Sequence, residues 1–189
     1  MFLKSKIIII FLFIISCQPI ELIQPVKIEN SNLEKISINA KEISINIIYN
    51  PIFSKENIED QLQNSPLELI QNWNNENIDH FGNENKLIIN IIDASIFKKE
   101  IDNINAKKYE EKTIFQYEIF YLVEYELYDD SDFLIANTLV ESKRSTTSQK
   151  YISINESELI INELLLNALK DFTKETKLLL SMYMSEYIQ

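Results

Sequence analysis

The sequence predicts an α+β fold in two layers: a mostly antiparallel four-stranded sheet with two helices on one face, in the order β-α-β-β-β-α. Three observations lead there. Thr113 to Leu127 carries the clearest two-residue period of the chain, and the phase returns after the turn at Asp129 to Asp132. Ser65-Pro66-Leu67-Glu68 opens one stretch of helical spacing. A second such stretch occupies the last part of the chain.

The first strand is read in ISINAKEISINIIY, where Ile43, Ile45, Ile47 and Tyr49 point one way and Glu42, Ser44 and Asn46 the other. The apolar phase shifts from even to odd positions at Ala40, so one strand bent there is expected. A loop at Asn50-Pro51 then leads to a capping box, with Ser65 as cap, Pro66 in the first helical position and Glu68 completing the box. Ile70, Trp73, Ile78 and Phe81 keep roughly helical spacing, and Gly82, the chain's single glycine, stands where a left-handed C-terminal residue is wanted.

Lys86 to Asp93 is a short apolar run, expected to be a central strand with both faces at least partly covered. Thr113 to Leu127 places Phe115, Tyr117, Ile119, Tyr121, Val123, Tyr125 and Leu127 on one face, opposite Gln116, Glu118, Glu124 and Glu126. Phe133 to Arg144 returns with Leu134, Ala136, Thr138 and Val140 in phase, completing a long antiparallel hairpin. The final helix is expected to start at a capping box of Asn155 and Glu158 and to carry Ile161, Leu165, Ala168, Phe172, Leu179 and Tyr183 in one stripe. At 1.5 Å per residue, about 30 residues span roughly 45 Å, more than one sheet needs. Its last turns are expected to project, to break or to dock on a partner.

Composition sets the broad class. Hydrophobic residues make up 46% of the 189, enough for a core in one domain over residues 34–189. The net charge of −11 makes nucleic acid and an anionic membrane face poor electrostatic partners. The bias toward Ile, Asn, Lys, Glu and Tyr is that of an AT-rich genome.

The chain begins with Lys4 and Lys6 ahead of the unbroken apolar run Ile7 to Ile15, the n-region and h-region of a secretory signal over residues 1–16. Nine apolar residues cannot span a bilayer, where a helix needs about 20. The run ends in Ile14-Ile15-Ser16-Cys17, which resembles the lipobox of bacterial lipoproteins, with Ile15 bulkier than that pattern usually has. The resemblance implies cleavage before Cys17, diacylglycerol on its sulfur and acylation, as by palmitate, of its new amino group. Removing 16 residues from 189 would leave 173, beginning at that cysteine. Each buried methylene is worth roughly 0.8 kcal/mol, so two or three chains hold where one is marginal. Cys17 is the only cysteine, so an exported chain has no internal disulfide to make. Residues 17–33, with Pro19 and Pro25 and no period, read as a tether to the folded part. Gln18 stands where an Asp would favour the inner membrane, so the outer membrane, facing the periplasm, is expected.

Candidate chemistry is sparse, and no catalytic residue, cofactor or metal site is assigned. His80, the only histidine, reads as a helix-end residue interacting with the dipole, because a lone His makes no ordinary zinc site. Asp129, Asp130 and Asp132 offer hard oxygens for calcium, yet the glycine and distal glutamate of an EF-hand loop are missing, which favours a solvated turn. Ser142, Ser145 and Ser148 lack a nucleophile elbow and a histidine base, while the basic residues of SKRSTTSQ, Arg144 among them, form a candidate contact for an anionic group. The column Tyr117, Tyr121 and Tyr125 is expected to pack under a helix, with a lipid or glycan groove as the alternative.

A lipobox followed by this layout over residues 34–189 resembles small envelope accessory lipoproteins. Two such families are the lipopolysaccharide-assembly lipoprotein that plugs an outer-membrane barrel and the auxiliary lipoproteins of ABC-type lipid transporters. Pro66-x-Glu68, Trp73, Phe81-Gly82 and Asp93-Ala94-Ser95 are also similar to uncharacterised alphaproteobacterial lipoproteins, a resemblance that implies no activity. The expected function is thus a non-catalytic accessory subunit held to the membrane through Cys17. Its expected partner is an envelope protein, with lipid or lipopolysaccharide as a further partner. The alternative is a lipoprotein enzyme with an unrecognised carboxylate site.

Overall fold

A computed structural model describes residues 33–52 and 54–189. The signal segment, Cys17 and the tether up to residue 32 lie outside the described residues. The architecture is α+β, a four-stranded mixed and mostly antiparallel sheet with two helices packed on it. The strands are β1 (Ile36–Asn39), β2 (Glu42–Ile47), β3 (Ile78–Phe81), β4 (Lys86–Asp102), β5 (Thr113–Tyr128) and β6 (Leu134–Ser148). The helices are α1 (Pro66–Asn77), between β2 and β3, and α2 (Ile154–Tyr183), after β6.

The large sheet runs in the order β2-β4-β5-β6. β2 lies parallel to the first part of β4, from Glu42 opposite Lys86 to Ile47 opposite Ile91. The β4–β5 and β5–β6 pairs are antiparallel, and β5–β6 is the expected hairpin. Asp129 closes its turn by accepting the Ser131 and Phe133 amides at 2.8 and 2.9 Å, and Asp130 pairs with Lys41 at 2.6 Å. The acidic cluster is thus a hydrogen-bonded turn.

The structure corrects four local expectations. The segment read as one bent strand is two strands in different sheets. β1 pairs in parallel with β3 in a separate two-stranded sheet, and β2 joins the large one. The phase shift at Ala40 marks the crossing: Ile36, Ile38 and Ala40 are buried beside β3, and Ala40 donates to Phe81 O at 2.9 Å.

The first helix stops at Asn77 instead of running on to Phe81. Its capping box of Ser65 and Glu68 is present. Near its end, Asn74 and Asn77 turn their side-chain amides back onto Ile70 O and Trp73 O at 2.8 and 3.3 Å. The chain then becomes β3, because β1 offers a ladder that one more helical turn could not use. Gly82 does have positive φ, +102°, but it turns the chain after a strand, where a Cβ would collide with Asn39 Oδ1. His80 accordingly sits exposed on β3 opposite Ile38, in a strand and not in the last turn of a helix.

α2 begins two residues earlier than its expected cap. Ser153 is the cap, accepting the Glu156 amide at 3.2 Å, because Ser153 and Glu156 already have the serine-to-glutamate spacing. The end of α2 neither projects nor breaks. Its buried stripe runs Leu165, Ala168, Phe172, Thr176 and Leu180, not through Tyr183, which is 60% exposed. Met184 is buried, one turn of 3₁₀ helix follows, and Gln189 donates to Ser37 O at 3.0 Å beside an Ile188–Ile38 bridge. The chain terminus therefore pairs with the free edge of β1.

The core lies between the helices and the inner face of the sheet. Trp73 of α1 meets Phe172 of α2 edge to face, with centroids 5.8 Å apart at 87°. Tyr121 lies below, 5.5 Å from Phe172. Tyr125 donates to Asn74 Oδ1 at 3.0 Å, so Tyr121 and Tyr125 pack under the helices as expected.

Candidate functional site

β4 has 17 residues and β5 has 16, far longer than α1 can cover. At about 3.3 Å per residue β4 extends to roughly 56 Å, whereas the 12 residues of α1 rise only about 18 Å. One end of the inner face is therefore roofed by α2 and by the short segment that follows β2. That segment adheres to the part of β4 which β2 leaves free: Ile58 N donates to Ile96 O at 3.3 Å, and Lys98 N donates to Glu56 O at 2.7 Å.

Between this segment, the first turns of α2 and the sheet lies a cavity of about 710 Å³. That volume falls within the range of small-molecule sites, about 300–1,000 Å³. Ile58, Leu62 and Ile161 give it apolar walls, and Phe115 and Tyr117 line it from β5. Tyr117 is the one tyrosine of the column that reaches this space, with its hydroxyl 3.3 Å from Ser157 Oγ.

Two lysines supply the charge. Lys98 stands opposite Tyr117 and so projects to the inner face of β4. Its ammonium lies 4.0 Å from the centroid of the Phe115 ring and 5.5 Å from that of Tyr117. Among the described residues no carboxylate is within ion-pair distance of it. Lys150 is 5.7 Å from the same Phe115 ring, pairs with Glu100 at 2.7 Å and reaches Thr113 Oγ1 at 3.4 Å. The hydrogen bond to Glu100 raises the Lys150 pKa against a smaller opposing effect of burial, and the same bond lowers that of Glu100. Lys150 is thus an ion-paired cation at one side of the cavity. At the mouth, Ile154 and Leu159 are 78% and 53% exposed, beside the exposed Asp60 and Glu158.

The residues singled out from sequence lie elsewhere. Cys17 is outside the described residues. SKRSTTSQ belongs mainly to β6, and its cations face carboxylates of the same chain: Lys143 pairs with Glu118 at 3.0 Å, and Arg144 with Asp171 of α2. The cationic feature next to apolar surface is the Lys98 and Lys150 pair, which sequence reading missed. Among the described residues, no group of three or more His, Cys, Asp or Glu side chains is placed to hold a metal ion. None of their helices is long and apolar enough to cross a membrane.

No family model and no curated protein matches the chain. Among solved structures, a minor lipoprotein from Acinetobacter baumannii is similar, with a TM-score of 0.39 and 9% identity over 74% of this chain and 89% of that one. A likeness of that degree assigns no role to any residue here, and the site stands on its own geometry.

Proposed function

We propose that the chain is a membrane-anchored envelope lipoprotein acting as a non-catalytic accessory subunit of an outer-membrane assembly or lipid-transport machine. The observation that carries this reading is Ile14-Ile15-Ser16-Cys17, the only cysteine of the chain standing at the end of a nine-residue apolar run. Two or three acyl chains on Cys17 would hold the domain at the bilayer, and residues 18–32 would give it reach. The cavity supports a binding role, with Lys98 and Lys150 beside the Phe115 ring and the apolar side chains of Ile58, Leu62 and Ile161 lining it.

An accessory subunit works through a partner, which brief crosslinking of intact cells followed by affinity purification of the full chain tests. One envelope protein is expected to be recovered in crosslinked form at near-equal amount. Recovery of the chain alone would overturn the accessory reading.

A further inference from the structure

The geometry points to one further property, which goes beyond the proposed function and does not depend on how the chain is anchored: the cavity binds a single amphipathic anion, a carboxylate or phosphate head on an alkyl chain. The head belongs at Lys98 and Lys150, and the alkyl chain belongs along Ile58, Leu62 and Ile161.

Three features combine to specify this chemistry. First, Lys98 is half-buried on the inner face of β4, in phase between the fully buried Ala94 and Ile96 and the exposed Glu100. Its ammonium lies by the faces of Phe115 and Tyr117, with no carboxylate of the described residues within ion-pair distance. An anion would complete its surroundings. Second, Lys150 stands over the same ring, and with Glu100 and Thr113 each accepting one of its ammonium hydrogens it keeps one donor. Third, Ile58, Leu62 and Ile161 form one apolar wall beside the lysines, and Ile154 and Leu159 continue it at the mouth, so a bare inorganic anion would leave that wall unmatched. Glu100 offsets the charge of Lys150, and Asp60 and Glu158 are exposed to solvent at the mouth, which leaves Lys98 against the rings as the cation with no carboxylate partner among the described residues.

A photoactivatable dodecanoate tests the site on the full chain held in phosphatidylcholine nanodiscs, with adducts mapped by mass spectrometry. Adducts are expected on the peptides carrying Ile58 to Leu62 and Ile161. Unlabelled dodecanoate should compete at a concentration roughly tenfold below that needed for dodecanol, the neutral analogue, because the charged head finds charged donors. Shortening the acid should weaken competition by about fourfold per methylene. Lys98→Met should erase the difference between acid and alcohol, while Lys98→Arg keeps it and both variants unfold at the parent's temperature. Ile161→Trp, which fills the cavity from α2, should abolish labelling even if Lys98→Met fails to fold.

A second arm places photoactivatable phosphatidylglycerol in the discs. Adducts at the same residues would make a membrane lipid the source of the anion, and labelling by the free acid alone would make it a dissolved amphiphile. Either result supports the site. Adducts spread over other surfaces, competition by inorganic phosphate equal to that by dodecanoate, or unchanged discrimination in Lys98→Met would each overturn it.

Discussion

Replacing Phe172 by alanine is expected to lower the free energy of unfolding by about 3–5 kcal/mol, a large part of the roughly 5–15 kcal/mol that holds a typical domain together. Phe172 is fully buried where three elements meet: its ring is edge to face with Trp73 of α1 and tilted against Tyr121 of β5. Truncation would remove the main apolar contact by which α2 holds α1 and would leave a void that a twisted sheet cannot close. Equilibrium denaturation in urea reads the effect directly. A double-mutant cycle with Trp73→Ala should show the two losses to be coupled, by about 0.5–1.5 kcal/mol for an aromatic pair. A loss below about 1 kcal/mol for Phe172→Ala would mean that the two helices are not joined as described.

Deleting residues 184–189 is the second large effect, with an expected loss of about 3 kcal/mol or more. Met184 is buried, and burial of a methionine side chain alone is worth about 2–5 kcal/mol against alanine. The deletion also strips the terminal ladder from β1, exposing Ile38 and leaving Ser37 O without the Gln189 amide at 3.0 Å. The damage should be uneven. Amide exchange should accelerate most in β1 and β3, whose small sheet loses one edge, and least in the central β4–β5 ladder. Unchanged stability and exchange would restore the projecting helix end that the length of α2 suggested.

These two sites also show where the sequence was readable. Regular, local patterns were legible: the alternation from Thr113 to Leu127, the hairpin turn at Asp129 and the length of α2 follow from neighbouring residues alone. Ile78 and Phe81 misled because they keep helical spacing, while the pairing that makes them a strand comes from β1, about forty residues earlier. The end of α2 misled because its stripe continues through Thr176, whose hydroxyl is satisfied by Phe172 O at 2.9 Å and which therefore packs as a small core residue.

The cavity was hidden for a related reason. A bulge between Ile91 and Asp93 moves the inner face of β4 from odd to even positions, so Ile96 and Lys98 continue the core face after the apparent end of the strand. Read without that shift, Lys98 belongs to a polar connection. Read with it, Lys98 is a lysine in phase with buried isoleucines, the one sequence signal that could have pointed to the site. Cys17 is a different case, since its proposed lipidation rests on the contiguous Ile14-Ile15-Ser16-Cys17, which is read without reference to the fold.

The account therefore meets its most direct test at that cysteine. The full chain and its Cys17→Ser variant should be purified from labelled cells, followed for palmitate incorporation and membrane attachment, and analysed for their N-terminal peptides by mass spectrometry. The parent is expected to begin at Cys17 carrying diacylglycerol, and the variant to lose both the label and the attachment. A chain that begins elsewhere with an unmodified Cys17, or a serine variant that stays labelled and membrane-bound, would contradict the account.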